Sequence, residues 1–438
     1  VKTLHLTNHF HRASGGIGVF YQALFKAAPE LGHEMVLIAS AERDATEKIN
    51  DFVKVHYVAS PRAPFFDRRY RLIWPTSYLF DKDSRLRKLL VEEKPDLIEI
   101  GDKYTLCWLA GLIRRGLIKG LDRPLLVGTS HERMDDNVRA FLTTGRVGQA
   151  LSRLYLGHLY LPLFDQHLAN STYTAAELET AVVDHHRRPV EVIPMGVDLD
   201  HLPAAGSDTG WRKRMLAQIG GGRAARLLIY IGRLSPEKNV GLLIEVMERL
   251  QDEGNEEFHL LIAGAGPLEG WLRDECRRRV AGRIHLLGHL TDRQELARLL
   301  ASGDAFIHPN PREPFGIAPL EAMAAGVPLV APRAGGIITY ANTENAWLCE
   351  PDASDFAATI RSLFANPEER GRRIAEARQT AGRYRWPVIA RLHLQRYEQL
   401  WRDFAGRSGP GRSTTPSLAQ ETFHSRPGCT LGCRGERP

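Results

Sequence analysis

One pattern governs what this chain can fold into: short apolar runs alternate with helical patterns, and the whole series is played twice. In the first half, strands read at Lys2–Leu6, Glu34–Ala39, Val53–Val58, Leu97–Ile100, Leu125–Thr129, His167–Asn170 and Val190–Ile193. Helical patterns fall between them at Val19–Leu31, Arg85–Glu93, Leu106–Arg115 and Ala175–Ala181. After residue 205 the series restarts, with strands at Arg226–Ile231, His259–Ala263, Ile284–Leu287, Ala305–His308 and Leu329–Ala331. The helices of this half are Val240–Gln251, Leu268–Val280, Gln294–Ala301 and Leu320–Ala325. Strands that alternate with helices pair in parallel, because each crossover helix must pack back onto the sheet. The fold class is therefore α/β, with two doubly wound, Rossmann-like domains in series that face each other across a cleft. Such sheets bind ligands outside the carboxyl ends of their strands.

The length agrees, since 438 residues exceed one ordinary core and suit two domains. The boundaries read as 1–195 for the first domain and 196–385 for the second, with a turn-rich hinge at Pro194–Asp198. A helix at Trp386–Trp401 closes the ordered chain, and the Gly-, Pro-, Ser- and Thr-rich 404–438 reads as a disordered tail.

The net charge of +6 is misleading until it is located. From Phe404 onward five Arg stand against two Glu, so the body is close to balanced and no nucleic-acid partner is expected. One basic stretch remains, 61–88, with eight Lys or Arg and three Asp interleaved with Phe65, Phe66, Tyr70, Trp74, Tyr78 and Phe80. It reads as a solvated basic loop, as a site for an anionic acceptor, or as a peripheral contact with an acidic lipid surface. The cysteines, Cys107, Cys276, Cys349, Cys429 and Cys433, form no disulfide framework, which fits a reducing compartment. The chain opens on a strand with no leader in view, and no apolar run reaches the roughly 20 residues of a membrane span. The most apolar stretch, Leu151–Leu168, is broken by Arg153, His158, Asp165 and His167. A cytoplasmic protein is expected, at most peripheral to the inner face of a membrane.

Four strings at strand ends carry chemistry. In Glu313-Pro314-Phe315-Gly316-Ile317-Ala318-Pro319-Leu320-Glu321, a loop after the strand ending at His308 leads into a helix with Pro319 in its first turn. The free N–H groups and dipole of that helix start make an anion site, and Gly316 lets the backbone approach a phosphate. Glu313 before the loop and Glu321, read as lying within the first helical turn, put two carboxylates around a diphosphate-sized cradle, suited to sugar hydroxyls. Taken singly, Glu321 is a helix-start charge and Glu313 a loop residue; only the whole string points to a site. The second string, Gly232-Arg233-Leu234-Ser235-Pro236-Glu237-Lys238, offers Arg233 and Lys238 to neutralise a leaving diphosphate. The third, Ser14-Gly15-Gly16-Ile17-Gly18, opens a helix after the first strand and lacks the spacing of a dinucleotide fingerprint. The fourth, Thr129-Ser130-His131-Glu132-Arg133, sets His131 at a strand end, where it reaches the cleft or else serves the core.

Two strings are set aside. Gly264-Ala265-Gly266-Pro267-Leu268 imitates a dinucleotide loop but reads as a structural turn, and Asp198-Leu199-Asp200 imitates a metal pair but lies in the hinge. No cofactor and no obligatory metal are expected.

Together these strings resemble the retaining GT-B glycosyltransferases of glycosyltransferase family 4. Glu313 and Glu321 match that family's E-x7-E motif, Gly232–Lys238 its G-R-x-x-x-E-K segment, and Ile193–Asp198 its I-P-N-G-V-D string with Met195 in place of Asn. The resemblance covers residues 1–403 and is looser in the first half. It implies that Arg233 and Lys238 hold the donor diphosphate, that Glu313 binds hydroxyls of the donor sugar and that Glu321 binds the ribose. It also implies that the Gly316 and Ile317 amides seat sugar and phosphate, that Gly15 and Gly16 approach the diphosphate from the first domain, and that His131 lies near the transferred sugar. The implied reaction moves a hexosyl group from a GDP- or UDP-sugar to a hydroxyl of a glycan, lipid or small metabolite, retaining anomeric configuration. A sugar-nucleotide epimerase, a phosphorylase of the same fold and a donor-binding protein without catalysis are the competing readings.

Overall fold

The computed structural model describes residues 1–11, 15–63, 71–141, 146–182, 189–199, 208–252 and 257–407. Ser14, Asp200, the Phe65, Phe66, Arg68, Arg69 and Tyr70 part of the basic stretch, and the tail with Cys429 and Cys433 lie outside them.

The first half opens with β1 (Lys2–Thr7), α1 (Gly16–Ala27), β2 (Glu34–Ala41), β3 (Ala45–Lys48) and β4 (Val53–Ala59). It continues through α2 (Thr76–Leu79), α3 (Arg85–Glu93), β5 (Leu97–Ile100), α4 (Cys107–Arg114) and β6 (Leu125–Ser130). The paired helices α5 (Met134–Phe141) and α6 (Arg146–Tyr155) precede β7 (Gln166–Ala169), α7 (Thr172–Ala181) and β8 (Glu191–Val192). Its sheet runs β3-β4-β2-β1-β5-β6-β7-β8, parallel except for β3, which pairs antiparallel with β4. The central strands are apolar throughout because helices cover both faces, so β5 and β6 are buried at every residue. β3 was not read from the sequence: Ala-Thr-Glu-Lys has no apolar pattern, and all four residues are exposed at the sheet edge.

The second half begins with α8 (Thr209–Gln218), β9 (Arg226–Ile231), α9 (Gly241–Asp252), β10 (Phe258–Ala263), α10 (Glu269–Arg279) and β11 (Ile284–Gly288). It is completed by α11 (Arg293–Ser302), β12 (Ala305–Ile307), α12 (Ile317–Ala325), β13 (Leu329–Pro332), β14 (Trp347–Cys349), α13 (Ala353–Ala365), α14 (Pro367–Arg383) and α15 (Trp386–Arg407). Its all-parallel sheet runs β11-β10-β9-β12-β13-β14. This is the doubly wound order, in which the chain reverses direction across the sheet between β9 and β12; the first sheet reverses between β1 and β5. Each reversal parts two successive loops at the carboxyl end and leaves a crevice.

The halves are tied behind that crevice. Val197 in the connecting segment donates its amide to Tyr384 O at 2.7 Å, and Trp386 donates back to Val197 O at 3.1 Å. Gly196 has no room for a side chain, since a Cβ there would stand 2.5 Å from the Trp386 ring. From this point α15 runs onto α1, where Phe20 meets His393 and Trp386 with ring centroids 5.0 and 6.3 Å apart. It buries Leu394, Tyr397 and Leu400. The helix extends to Arg407, past the composition change at Phe404, because its apolar face is already anchored. No helix among the described residues is long and apolar enough to cross a membrane.

Candidate functional site

All the predicted site residues but Glu321 lie in loops or helix starts that follow strands at the crevice, and direct contacts join Gly16 to Ile317 and Lys238 to Glu313. Gly15 caps α1 and Gly16 is its first residue; Gly316 caps α12 and Ile317 is its first residue. These two helix starts face each other, since a Cβ on Gly16 would stand 2.6 Å from Ile317 Cδ1. Each start presents unpaired N–H groups and the positive end of a helix dipole, so the gap between them favours an anion. Gly316 sits at φ +88°, a left-handed conformation that strains any residue with a side chain, and Tyr340 fixes it by donating to the Gly316 carbonyl at 2.6 Å.

Lys238 and Glu313 form the polar centre of the second-domain side. The Lys238 ammonium donates to both Glu313 carboxylate oxygens, at 2.8 and 3.0 Å. Asn310 Nδ2 donates to the same carboxylate at 3.2 Å, and His308 Nε2 lies 3.4 Å from it. Burial alone would raise the Glu313 pKa, but the charge of Lys238 and the contact with His308 hold it well below the usual carboxylate range. Glu313 is therefore an ionised acceptor that can take hydroxyl donors. Lys238 ends a short 3-10 turn, Pro236–Lys238, and Asn239 after it is left-handed at φ +53°. Asn239 donates to Pro309 O at 3.0 Å and so locks the loop after β9 to the loop after β12. Arg233, half-buried, belongs to the same loop.

The glycines of the set-aside Gly264–Leu268 string support this loop through their backbone. A Cβ on Gly264 would stand 1.8 Å from Gly232 O, and one on Gly266 2.2 Å from Leu234 O. Leu234 N donates to Ala265 O at 3.1 Å, and Leu268 N to Leu234 O at 2.9 Å. The string is thus a structural turn pressed against the Arg233 loop.

The placement of Glu321 corrects the sequence reading. With Gly316 as cap, Glu321 is the fifth residue of α12 and lies past its first turn, which contains no acidic residue. It is half-buried rather than a solvated helix-start charge, and burial pushes its pKa up to about 7; Arg293 opposes this and Asp198 adds to it. Asp198, from the set-aside hinge pair, accepts from Arg293 Nη1 at 2.8 Å.

On the first-domain side His131 follows β6, is 9% exposed, and has no hydrogen-bonding partner for either ring nitrogen among the described residues. Burial lowers its pKa, against the pull of Glu99. Glu99 was not singled out from the sequence. It is fully buried at the end of β5 and accepts from His5 Nδ1 at 2.9 Å, and its Oε1 has no hydrogen-bonding partner among the described residues. Burial pushes the Glu99 pKa up, but His5 and the nearby His131 hold it below the usual range. The loop of His131 is anchored by the buried Lys103, which donates to Glu132 O at 2.5 Å and to Glu177 at 2.7 Å.

Two further contacts close the crevice. Ser171, the cap of α7, donates to Pro314 O at 2.5 Å, and Arg312 Nε lies 3.5 Å from Asp136 on α5. The Pro314 loop is also pressed from behind, where a Cβ on Gly336 would fall 1.9 Å from Pro314 O. No sequence signal marks Ser171, Asp136 or Gly336, because each acts on a residue distant along the chain. Among the described residues the basic stretch is not one outward surface: Tyr78 is buried and donates to Thr105 O, and the buried Arg87 donates to Tyr78 O at 2.7 Å, while Arg62, Lys82, Arg85 and Lys88 are exposed and Phe80, at 80%, is the exposed one of the described aromatic residues. Among the described residues no three His, Cys, Asp or Glu side chains converge as a metal site.

Comparison with known proteins accords with this geometry. Residues 14–201 match the model for Glycosyltransferase Family 4, and residues 217–380 that for Glycosyl transferases group 1. A GDP-mannose-dependent alpha-(1-6)-phosphatidylinositol dimannoside mannosyltransferase of Mycobacterium tuberculosis is 26% identical over 382 residues, covering 86% of this chain and 91% of that protein. A glycogen synthase of the same species is 28% identical over 400 residues, covering 87% of this chain and 91% of that protein. Of solved structures, sucrose-phosphate synthase from Thermosynechococcus elongatus superposes with a TM-score of 0.72 at 18% identity, over 92% of this chain and 100% of that one. With one glycosyltransferase domain matched in each half and the two sheets facing across a crevice, the chain belongs to the GT-B glycosyltransferases of the family 4 type.

Proposed function

We propose that this glycosyltransferase moves a hexosyl group from a GDP- or UDP-sugar to an acceptor hydroxyl, with retention of anomeric configuration and without an obligatory metal. The observation that carries the reading is the meeting of two helix starts, at Gly16 and Ile317, beside Lys238 and the ionised Glu313. Two converging dipoles and the cations Arg233 and Lys238 suit a diphosphate, whose charge grows as it departs. The Gly15–Gly16 backbone and the Gly316 and Ile317 amides approach its oxygens. Glu313 accepts from the sugar hydroxyls and Glu321 from the ribose. His131, with both nitrogens open, turns toward the transferred sugar from the other domain.

In this reading the bond from the anomeric carbon to the phosphate oxygen breaks, and its electron pair stays on the phosphate. The acceptor oxygen bonds to the anomeric carbon on the same face, and its proton passes to the departing phosphate oxygen. The protein contributes placement and charge stabilisation rather than a nucleophile. The mannosyltransferase relative, named for GDP-mannose and a phosphatidylinositol dimannoside, supports a GDP-sugar donor and a lipid-linked acceptor, and the glycogen synthase supports a glycan acceptor. The test is product stereochemistry by NMR, with an α-linked donor and an acceptor panel, with and without EDTA. The reading expects an α-linked product in both conditions, and turnover lowered at least 100-fold by Arg233→Ala or Lys238→Ala. A β-linked product, loss of turnover in EDTA, or unaltered rates in those variants contradicts it.

A further inference from the structure

Helix α6 is turned inside out. Val147, Leu151 and Leu154, spaced to share one face, are 68%, 59% and 57% exposed, and Leu159 on the following turn is 48% exposed. The opposite face, turned into the protein, carries Gly148 and Ser152, and Leu156 just after the helix is buried. Ser152 Oγ is buried there with no hydrogen-bonding partner among the described residues. A helix of a globular domain buries its apolar stripe and exposes its polar one. Single exposed apolar residues are ordinary, but a stripe of this kind marks a surface that meets something apolar.

Charge selects what covers it. Between Asn137 and Phe164 the chain carries Arg139, Arg146 and Arg153 and no Asp or Glu. Arg139 and Arg153 are exposed and make no ion pair among the described residues. A second copy of this face would bring like charges together on burial, whereas a bilayer with anionic headgroups satisfies both the stripe and its basic flanks. The face also has a fixed relation to the crevice. The preceding helix α5 packs on α6 and carries Asp136, which pairs with Arg312 beside Glu313.

We propose that α6 is a membrane-docking helix, which lays Val147, Leu151 and Leu154 into the interfacial layer of an anionic phospholipid bilayer while Arg139 and Arg153 meet its headgroups. The proposal is separate from the transferase reading and stands if that reading fails. Docking in this way sets the rim of the crevice next to the lipid surface.

The test is co-sedimentation of the full chain with vesicles of phosphatidylcholine alone and of phosphatidylcholine with one quarter phosphatidylglycerol. The wild type is expected to pellet with the anionic vesicles, and more weakly at high salt. Leu151→Ser with Leu154→Ser should lower the partition coefficient roughly 30-fold or more, since two apolar side chains leave the interface. Both positions are exposed, so the melting temperature and circular dichroism of the variant should match the wild type. Wild-type protein that ignores anionic vesicles overturns the proposal, as does equal binding by the double variant. So does binding lost in Phe80→Ser but kept in the double variant, which assigns docking to the 61–88 stretch. A wild-type dimer in light scattering that becomes a monomer in the double variant overturns it in favour of a second copy.

Discussion

Replacing Lys238 with Met would strand a buried charge, and the consequence can be followed through pH. Glu313 is buried and takes its two shortest contacts from the Lys238 ammonium, with Asn310 at 3.2 Å and His308 at 3.4 Å remaining among the described residues. Removing one partner of a fully buried pair costs about 3–5 kcal/mol. The Lys238 side chain is 24% exposed, so water already weakens the pair, and about 2–3 kcal/mol is the fitting range here. For a domain of this size that is a fall of roughly 5–10 °C in melting temperature. The sign with pH follows from the depressed pKa. The pair's contribution is fully present above the ordinary carboxylate value of 4.5 and is lost as pH falls through the lower folded value. In the variant, burial is unopposed by Lys238 and pushes Glu313 upward, so the variant suffers most at neutral pH. Differential scanning fluorimetry of both proteins from pH 8 to pH 4 should show a gap that is widest near pH 7 and narrows toward pH 4. A gap under about 1 kcal/mol at pH 7, or one that does not change with pH, would refute the reasoning.

Three other outcomes follow from the same geometry. Glu321 has a raised folded pKa, so between pH 4.5 and about 7 the folded state holds a proton the unfolded chain has released, and stability declines as pH rises through that window. Glu321→Gln should remove this decline and gain about 1–2 kcal/mol at pH 8 but nothing at pH 4, a range reduced because the carboxyl keeps part of its surface in water; parallel denaturant melts at both pH values check it. Ser171→Ala removes both the α7 cap and the donor to Pro314 O, and should lose about 1.5–2.5 kcal/mol, with Ser171→Thr restoring most of the cap. Gly336→Ala drives a Cβ to 1.9 Å from Pro314 O, so the loop carrying Glu313 must move; turnover should fall far more than melting temperature, and equal activity would show that the loop tolerates the shift.

What the amino-acid order revealed, and what it hid, divides along sequence distance. The doubly wound sheets were readable because each strand and helix declares itself over a few residues, and strand ends then locate the crevice. Glu313, Gly316, Lys238 and His131 were singled out as candidates because each sits in a short string at such an end. The exceptions were the edge strands β3, which is polar, and β14, which is three residues long, together with the helices α2, α5, α8, α13 and α14, none of which was read from the sequence. Glu99, Ser171 and Gly336 went unnoticed because their partners His5, Pro314 and the Pro314 loop are far along the chain. Glu321 was set one turn too early because α12 starts at Ile317, after the left-handed Gly316, three residues before the Leu320 start read from the sequence. The stripe on α6 was not singled out, since the sequence shows only that Leu151–Leu168 is an apolar stretch. An apolar period in a sequence ordinarily means core, and only the structure turns Val147, Leu151 and Leu154 outward.

The central claim is that a nucleoside diphosphate sugar binds between the helix starts at Gly16 and Ile317. Thermal stabilisation by UDP, GDP, ADP and their sugar conjugates, with and without Mg²⁺, tests it most directly, since a ligand of the folded state raises the melting temperature by mass action. A GDP- or UDP-sugar should give a shift that does not depend on Mg²⁺ and that weakens in Lys238→Ala and Glu321→Ala. No shift with any nucleotide in well-folded protein, or a shift that both variants preserve in full, would contradict it.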